Sequence, residues 1–230
     1  MTFWLLIPIK SLQAGKSRLS PFLSDQARRC LNEFFLRHIV KVATEFPGSQ
    51  RTAIISDCEE VLNLAKSLDI YTIRQTGGSG LNRAATQGVD QLRALGADEI
   101  LVIASDLPFI RSSDIRELAA IDMQHRVVIC PDRKKAGTNA LLLRGGASLR
   151  FNFGEESYKE HLHAAMRIGA PPIIYVNRRV AIDIDVAEGL ELWINRSSAI
   201  ANDGRDVDIV GLSSDEGLEA LGEVLTALQR

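Results

Sequence analysis

The chain has 230 residues, of which 46% are apolar and 24% charged, and this composition excludes disordered, collagen-like and fibrous proteins. Its length corresponds to one large domain or two small ones. The 27 basic and 29 acidic residues give a net charge of −2, and without a basic excess, non-specific nucleic-acid binding is disfavoured.

The first predicted element is an apolar run over residues 3–9, which contains Pro8. The run is too short for a membrane-spanning helix, which needs about 20 apolar residues, and no basic residue precedes it as in a signal peptide. We therefore interpret it as a buried strand and expect a cytoplasmic protein. Cys30, Cys58 and Cys130 are scattered without CxxC spacing, so we expect neither a disulfide framework nor a zinc site.

Short β-rich runs alternate with longer stretches of helical periodicity along the chain. Strands are predicted over residues 3–9, 51–56, 70–74, 99–105, 126–130, 139–144 and 173–176. Helices are predicted over residues 25–46, 59–67, 82–95, 113–121 and 155–167. Because the strands are apolar almost throughout, this alternation predicts an α/β fold with a mainly parallel sheet and helices on both faces.

The composition changes after about residue 195. Residues 202–208 are polar, and Ser213, Ser214 and Asp215 then begin a last predicted helix that ends at Leu228. We therefore predict one domain over residues 1–195, followed by a C-terminal tail over residues 196–230 that contains a linker and a packing helix.

The loop after the first predicted strand is rich in cations, with Lys10, Lys16 and Arg18 close together around Gly15 and Ser17. Point charges, a guanidinium fork and flexible backbone N–H groups suit a polyphosphate. The end of the loop looks like a P-loop, but Lys10 stands where that motif requires its first glycine. A nucleotide-triphosphate loop of another design is therefore favoured over a P-loop and over an ordinary solvated basic loop.

Three aspartates are candidates for metal binding. Asp106 follows a predicted strand directly, and ligands of open α/β sheets lie beyond the carboxyl ends of strands. Asp183 and Asp185 alternate with apolar residues, so both would point the same way in an extended segment. Carboxylates grouped in this way suit Mg²⁺. The alternatives are that Asp106 is a turn residue and that Asp185 caps a helix, with Glu188 completing a capping box.

A second anion site is predicted around Thr138 and the helix that follows Gly154. Gly154 and Ser157 would lie at the helix N-terminus, where free N–H groups and the helix dipole favour a phosphate or carboxylate. The alternative is a tight turn with ordinary capping. His161, one turn further, would face the same pocket, although a packed or surface histidine is the more common case.

Taken in order, these segments resemble the guanylyltransferase family of coenzyme F-420 biosynthesis over residues 3–192. The resemblance rests on Pro8-Ile9-Lys10 with residues 16–19, Gly80-Leu81-Asn82-Arg83-Ala84, Asp106-Leu107-Pro108, Pro131-Asp132-Arg133 with residues 137–140, Phe153-Gly154 with Ser157 and His161, and Asp183-Ile184-Asp185.

The resemblance implies a single-domain nucleotidyltransferase of the glycosyltransferase-A-like kind, with a Rossmann-like, mixed and mainly parallel sheet. Such an enzyme transfers GMP from GTP to 2-phospholactate, phosphoenolpyruvate or 3-phosphoglycerate and releases pyrophosphate. The expected site consists of Lys10, Lys16, Arg18 and Asp106 for catalysis; Lys10, Lys16, Arg18 and Asn82 for the nucleotide; Thr138, Gly154 and Ser157 for the acceptor; and Asp106, Asp183 and Asp185 for Mg²⁺.

Three points stay open at this level. The acceptor acid is not determined, and neither is which of Asp183 and Asp185 binds metal. The tail exceeds the family minimum, so a homodimer is one option for the assembly. The alternative functions are a CTP- or UTP-dependent nucleotidyltransferase acting on a sugar- or polyol-phosphate, and a non-catalytic nucleotide-binding regulatory subunit.

Overall fold

A computed structural model describes residues 1–13 and 15–202, with side chains as far as residue 194. The strands in this part are β1 (Phe3–Pro8), β2 (Thr52–Ser56), β3 (Tyr71–Arg74), β4 (Glu99–Ile103), β5 (Val127–Pro131), β6 (Thr138–Arg144) and β7 (Ile173–Ile174). The α-helices are α1 (Asp25–Glu45), α2 (Glu59–Ser67), α3 (Leu81–Ala94), α4 (Ser112–Ala119), α5 (Ser157–Arg167) and α6 (Ala187–Asn202). The predicted alternation of strands and helices is confirmed.

The described strands form one sheet in the order β3-β2-β1-β4-β6-β5-β7. All neighbouring pairs are parallel except the two that involve β6, which runs antiparallel to both β4 and β5. The connection between β5 and β6 is too short for the crossover that a parallel pair needs, so the two strands form a hairpin. The sheet is therefore mixed and mainly parallel, as predicted.

Each face of the sheet is covered by helices. Side chains alternate between the faces along a strand, so Leu5 and Ile7 of β1 share a buried cluster with Ile39 of α1, whereas Leu6 shares a cluster on the other face with Val89 of α3. A third cluster joins α1 to α6. It consists of Leu19, Leu23, Ala27, Leu31, Phe35, Ile184, Leu190, Trp193 and Ile194.

The close packing of α3 on β1 requires a glycine. A Cβ atom at Gly88 would lie 2.7 Å from a methyl group of Leu6, a distance that side chains do not adopt. Gly88 thus lets the helix axis approach the strand.

The reversal of β6 decides what meets at the functional edge of the sheet. The carboxyl ends of β1 and β4 lie at this edge, where open α/β sheets bind their ligands. Because β6 runs the other way, its first residue, Thr138, lies at the same edge rather than at the opposite one.

Some predicted boundaries differ from those observed. Helix α5 begins at Ser157 rather than at residue 155, because Gly154 and Glu156 have positive φ angles of 135° and 62°. The segment around Asp183 is not part of the sheet, and α6 begins after Val186, whose carbonyl accepts from the N–H of Gly189.

The predicted domain boundary at residue 195 lies within α6, which ends at Asn202. The predicted final helix from Ser213 to Leu228 lies outside the described residues. No helix in the described part of the chain is both long and apolar enough to cross a membrane.

Candidate active site

A cavity of about 610 Å³ lies at the edge of the sheet where β1 and β4 end and β6 begins. The predicted site residues that line it are Lys10, Lys16, Arg18, Asp106, Thr138, Gly154, Ser157, Asp183 and Asp185. The fold therefore brings together, in one cavity, side chains that are up to 175 positions apart (185 minus 10).

Lys16 is the most constrained cation of the cavity. Its side chain is 3% exposed, and its ammonium donates to Asp106 Oδ2 at 2.8 Å and to the carbonyl of Ile184 at 2.6 Å. The ammonium also lies 5.1 Å from the centre of the Phe35 ring. Lys16 has a φ angle of 59°, a left-handed conformation that costs a non-glycine residue about 1 kcal/mol and is often found at functional sites.

The Lys16 charge governs the ionisation of Asp106. Burial alone would raise the pKa of Asp106, but the ammonium of Lys16 more than offsets this effect, and the pKa lies below its usual value. Asp106 therefore stays ionised at neutral pH.

The other two aspartates have the opposite shift. Burial, together with the negative charges of Asp106 and Asp185, raises the pKa of Asp183 to about 6. Burial and the charge of Asp106 also raise the pKa of Asp185. The amide of Asn139 lies 3.4 Å from Asp183 Oδ1 and donates to it. The cluster thus carries more negative charge than Lys16 compensates.

The uncompensated carboxylates fit Mg²⁺, a cation that binds oxygen ligands and lowers the cost of crowding such charges. Within residues 1–13 and 15–202, no three acidic, histidine or cysteine side chains already surround a metal position. Mg²⁺ usually takes only one or two carboxylates and completes its shell with water and substrate phosphate oxygens. Asp106 with one of Asp183 and Asp185 matches such a partial donor set.

Lys10 and Arg18 are exposed at the mouth of the cavity. Arg18 forms an ion pair with Glu155 at 2.9 Å, and both side chains are largely in solvent. Ion pairs of this kind contribute little, about 0–1 kcal/mol. A triphosphate could therefore displace Glu155 from Arg18 at small cost.

A further part of the cavity wall carries the hydroxyl groups of Thr138 and Ser157. Ser157 Oγ accepts a hydrogen bond from the backbone N–H of Thr138 at 2.9 Å, and Thr138 Oγ1 lies 3.0 Å from Nδ1 of His161. The N–H of Asn152 donates to Nε2 of His161 at 3.1 Å. Burial lowers the pKa of His161 to about 4, so the ring is neutral.

The turn before α5 aims this wall at the cavity. Gly154 has a φ angle of 135°, which favours glycine, and its carbonyl accepts from the N–H of Ser157 at 3.2 Å. The N–H of Tyr158 donates to the carbonyl of Ala136 at 3.0 Å. The start of α5 is therefore tied to the hairpin that leads into β6.

A family model described as guanylyl transferase CofC like matches residues 3–203. The chain belongs to this family. The resemblance predicted from the motifs is therefore confirmed.

Curated relatives of this CofC-like chain include 2-phospho-L-lactate guanylyltransferases and phosphoenolpyruvate guanylyltransferases. It is 31% identical over 185 residues to a 2-phospho-L-lactate guanylyltransferase of Methanobrevibacter smithii, covering 80% of each chain. It is 36% identical over 191 residues to a phosphoenolpyruvate guanylyltransferase of Rubrobacter xylanophilus, covering 83% of this chain and 92% of the relative.

Solved structures confirm the nucleotidyltransferase fold of the CofC-like chain. A protein described as a nucleotide-diphospho-sugar transferase from Desulfovibrio desulfuricans has a TM-score of 0.72 at 15% identity, covering 99% of this chain and 97% of that one. A nucleotidyl transferase from Methanothermobacter thermautotrophicus has a TM-score of 0.59 at 14% identity, covering 88% and 99%. At such low identity the likeness concerns the fold alone.

Asn82 is the one predicted site residue of the CofC-like chain that is not among the residues lining the described cavity. Its Oδ1 accepts from the N–H of Phe153 at 2.5 Å, and its Nδ2 donates to the carbonyl of the same residue at 3.4 Å. The amide therefore ties the start of α3 to the loop before α5. Nucleotide binding by Asn82 stays a prediction.

Two residues that shape the site belong to the motifs that carry the resemblance, but the sequence assigned them no role. Asp132 accepts from the N–H groups of Ala136 and Gly137, both at 2.9 Å, and so forms the turn between β5 and β6. Asn139 donates to the carbonyl of Val180 at 2.9 Å, in addition to its bond to Asp183. An aspartate before an Ala-Gly turn is a recognisable signal, but Asn139 reads as an ordinary strand residue.

Glu188, which the sequence offered as part of a capping box at α6, forms ion pairs outside its own helix. Glu188 forms ion pairs with Arg133 and with Lys134, the latter at 2.9 Å, and these charges lower the pKa of the Glu188 carboxyl. Glu188 therefore bridges α6 to the β5–β6 hairpin.

Proposed function

We propose that the protein transfers GMP from GTP to a small phosphorylated carboxylic acid, with release of pyrophosphate, as a step in coenzyme F-420 biosynthesis. The observation that carries the proposal is the juxtaposition, in one cavity, of the Lys16–Asp106 pair with the hydroxyl groups of Thr138 and Ser157. Relatives named as guanylyltransferases supply the nucleotide and the acceptor class.

The nucleotide would bind on the cationic side of the cavity. Lys10, Lys16 and Arg18 come from one loop after β1, so a triphosphate lying along this loop would meet all three charges. Lys16 now bonds to Asp106. A phosphate oxygen of the triphosphate would compete with Asp106 for the Lys16 ammonium.

The acceptor would bind at Thr138, Gly154 and Ser157, where the positive end of the α5 dipole favours an anion. Its phosphate oxygen would attack the α-phosphorus of GTP, form the new P–O bond and expel pyrophosphate. The nucleophile is already anionic, so no general base is required. The protein contributes positioning and charge neutralisation.

We propose Mg²⁺ as the metal, held by Asp106 together with Asp183 or Asp185. When bound, Mg²⁺ supplies charge neutralisation at the α-phosphate and the leaving pyrophosphate. The protein itself prepares the carboxylates for the metal, because Asp106 stays ionised and Asn139 orients Asp183.

Pyrophosphate release tests the proposed function directly. The full chain is assayed with each of the four NTPs and each of the three acids in the presence of Mg²⁺. We expect release with GTP and one or more acids only. Turnover with CTP or UTP and a sugar- or polyol-phosphate would replace the proposal by the first alternative, and binding of GTP without turnover would replace it by a regulatory subunit.

A further inference from the structure

We propose that His161 is a positioning residue that holds the hydroxyl of Thr138 as a hydrogen-bond donor toward an oxyanion of the acceptor. The identity of the oxyanion, the carboxylate of a phosphorylated acid, rests on the proposed function. The orientation of the hydroxyl rests on the hydrogen bonds of the described residues alone.

The tautomer of His161 follows from its two partners. A backbone N–H can only donate, so Nε2, which receives the N–H of Asn152 at 3.1 Å, must carry the lone pair. A neutral imidazole then carries its proton on Nδ1. Nδ1 therefore donates to Thr138 Oγ1 at 3.0 Å.

The consequence is that Thr138 cannot donate to the histidine. Its hydroxyl accepts from His161, and its proton points elsewhere. Ser157 is in the same situation, because its oxygen accepts from the N–H of Thr138 at 2.9 Å. In the part of the chain that the structure describes, neither hydroxyl has a protein acceptor for its own proton.

Each of the two hydroxyl groups can therefore donate a hydrogen bond to a bound ligand. Thr138 is 7% exposed and Ser157 is 2% exposed, so neither hydroxyl is well placed to donate to bulk water. Both residues line the cavity. A carboxylate has only acceptor sites, and hydrogen bonds to a charged group are about twice as strong as neutral ones. An anion at this position would satisfy both hydroxyl groups at once.

His161 itself stays out of contact with the ligand. It is fully buried and is not among the residues that line the cavity. The Phe153 ring, which does line the cavity, packs edge-on against it at 4.8 Å between centroids. His161 would therefore act through Thr138 and the loop around Asn152 rather than on the substrate.

Two conservative variants separate these roles. Asparagine in His161→Asn places an amide nitrogen near the position of Nδ1 and keeps the donor to Thr138. Glutamine in His161→Gln places an amide oxygen near the position of Nε2 and keeps only the acceptor for Asn152. We expect the KM for the acceptor to rise about tenfold in His161→Gln, the effect of one hydrogen bond, and less than threefold in His161→Asn. The KM for GTP should stay unchanged in both.

A purely structural role predicts another pattern. The acceptor and GTP constants would then rise together, or both variants would be impaired in proportion to their melting temperatures. Either result would overturn the proposal.

A double-mutant cycle tests whether the effect passes through the Thr138 hydroxyl. Thr138→Val removes the hydroxyl with little change in volume. In this background His161→Gln should raise the acceptor KM less than twofold further. If the two changes multiply, His161 does not act through Thr138.

The tautomer can be observed without any substrate. Nitrogen NMR of the full chain, labelled at histidine, should show His161 protonated at Nδ1 and unprotonated at Nε2 between pH 6 and pH 8. The reverse tautomer would overturn the inference even if the enzyme transfers GMP. The expected tautomer in a protein that transfers GMP to none of the three acids would support the donor orientation and refute the proposed function instead.

Discussion

Replacement of Lys16 by methionine tests the electrostatic balance of the cavity. Lys16→Met keeps the length of the side chain but removes the ammonium that bonds to Asp106 and to the carbonyl of Ile184. Removing one partner of a buried ion pair costs about 3–5 kcal/mol, because the other charge stays buried. The Asp106 side chain is 19% exposed at a cavity that admits water, so we expect the low end, about 3 kcal/mol.

The loss should depend on pH in a defined direction. With Lys16 present, the pKa of Asp106 is lowered, so the ion pair stabilises the fold above the unfolded pKa and is intact at both pH 7.5 and pH 5. Without Lys16, the burial of Asp106 should raise its pKa, and protonation at pH 5 should relieve part of the penalty. The destabilisation should therefore be larger at pH 7.5 than at pH 5.

Urea unfolding of both proteins at the two pH values measures this difference, with chelator present to remove divalent cations. Lys66→Met, which removes an exposed lysine in the last turn of α2, is the matched control and should change the free energy of unfolding by less than about 0.5 kcal/mol. Equal destabilisation by Lys16→Met at the two pH values would refute the electrostatic account.

Three further predictions concern the candidate site. Asp106→Asn should lower Mg²⁺-dependent pyrophosphate release by several orders of magnitude with an unchanged circular dichroism spectrum. The control Asp90→Asn, at an exposed position of α3, should not change the release. Near-normal release by Asp106→Asn would disprove the metal assignment. Asn82→Ala should raise the KM for the acceptor, because it frees the backbone of Phe153, and an unchanged acceptor KM would contradict this role. A rise in the KM for GTP as well would support the predicted nucleotide contact. Burial lowers the pKa of His161 from 6.5 to about 4. As the pH falls from 6.5 to 4, the free energy of unfolding of the wild type should therefore decrease relative to that of His161→Gln, by roughly 3 kcal/mol in total. The same pH dependence in both proteins over this range would contradict the burial of a neutral ring.

The strands and their succession along the chain could be predicted, because their residues are apolar almost throughout and are bounded by turn signals. The rule that ligands bind at the carboxyl ends of strands then placed Lys10, Lys16 and Asp106 at one edge. The reversal of β6 could also have been deduced, because six residues from Asp132 to Gly137 cannot hold a crossover.

The contacts between these residues could not be predicted. Lys16 and Asp106 are 90 positions apart, and their pairing depends on how two loops fold over the edge of the sheet. The sequence indicates either that His161 faces the pocket or that it is a packed or surface histidine. Its proposed role depends on contacts with two other segments, because Thr138 and Asn152 lie at its two nitrogens.

An irregularity in β6 explains how one strand serves both halves of the cavity. Ala140 belongs to the cluster on the α1 face of the sheet, so strict alternation would place Thr138, two residues earlier, on the same face. Thr138 instead contacts Ser157 and His161 of α5, which covers the other face.

The offset comes from the pairing with β5. Cys130 is opposite Ala140 and Pro131 is opposite Thr138, so Asn139 is the extra residue of a bulge. Such bulges change the direction of side chains beside functional sites. Here the bulge turns Thr138 toward the proposed acceptor site and leaves Asn139 bonded to Asp183 at the proposed metal site. Adjacent residues of one strand can thus hold the acceptor and the metal ligand at a fixed separation, which is the positioning that an in-line phosphoryl transfer requires.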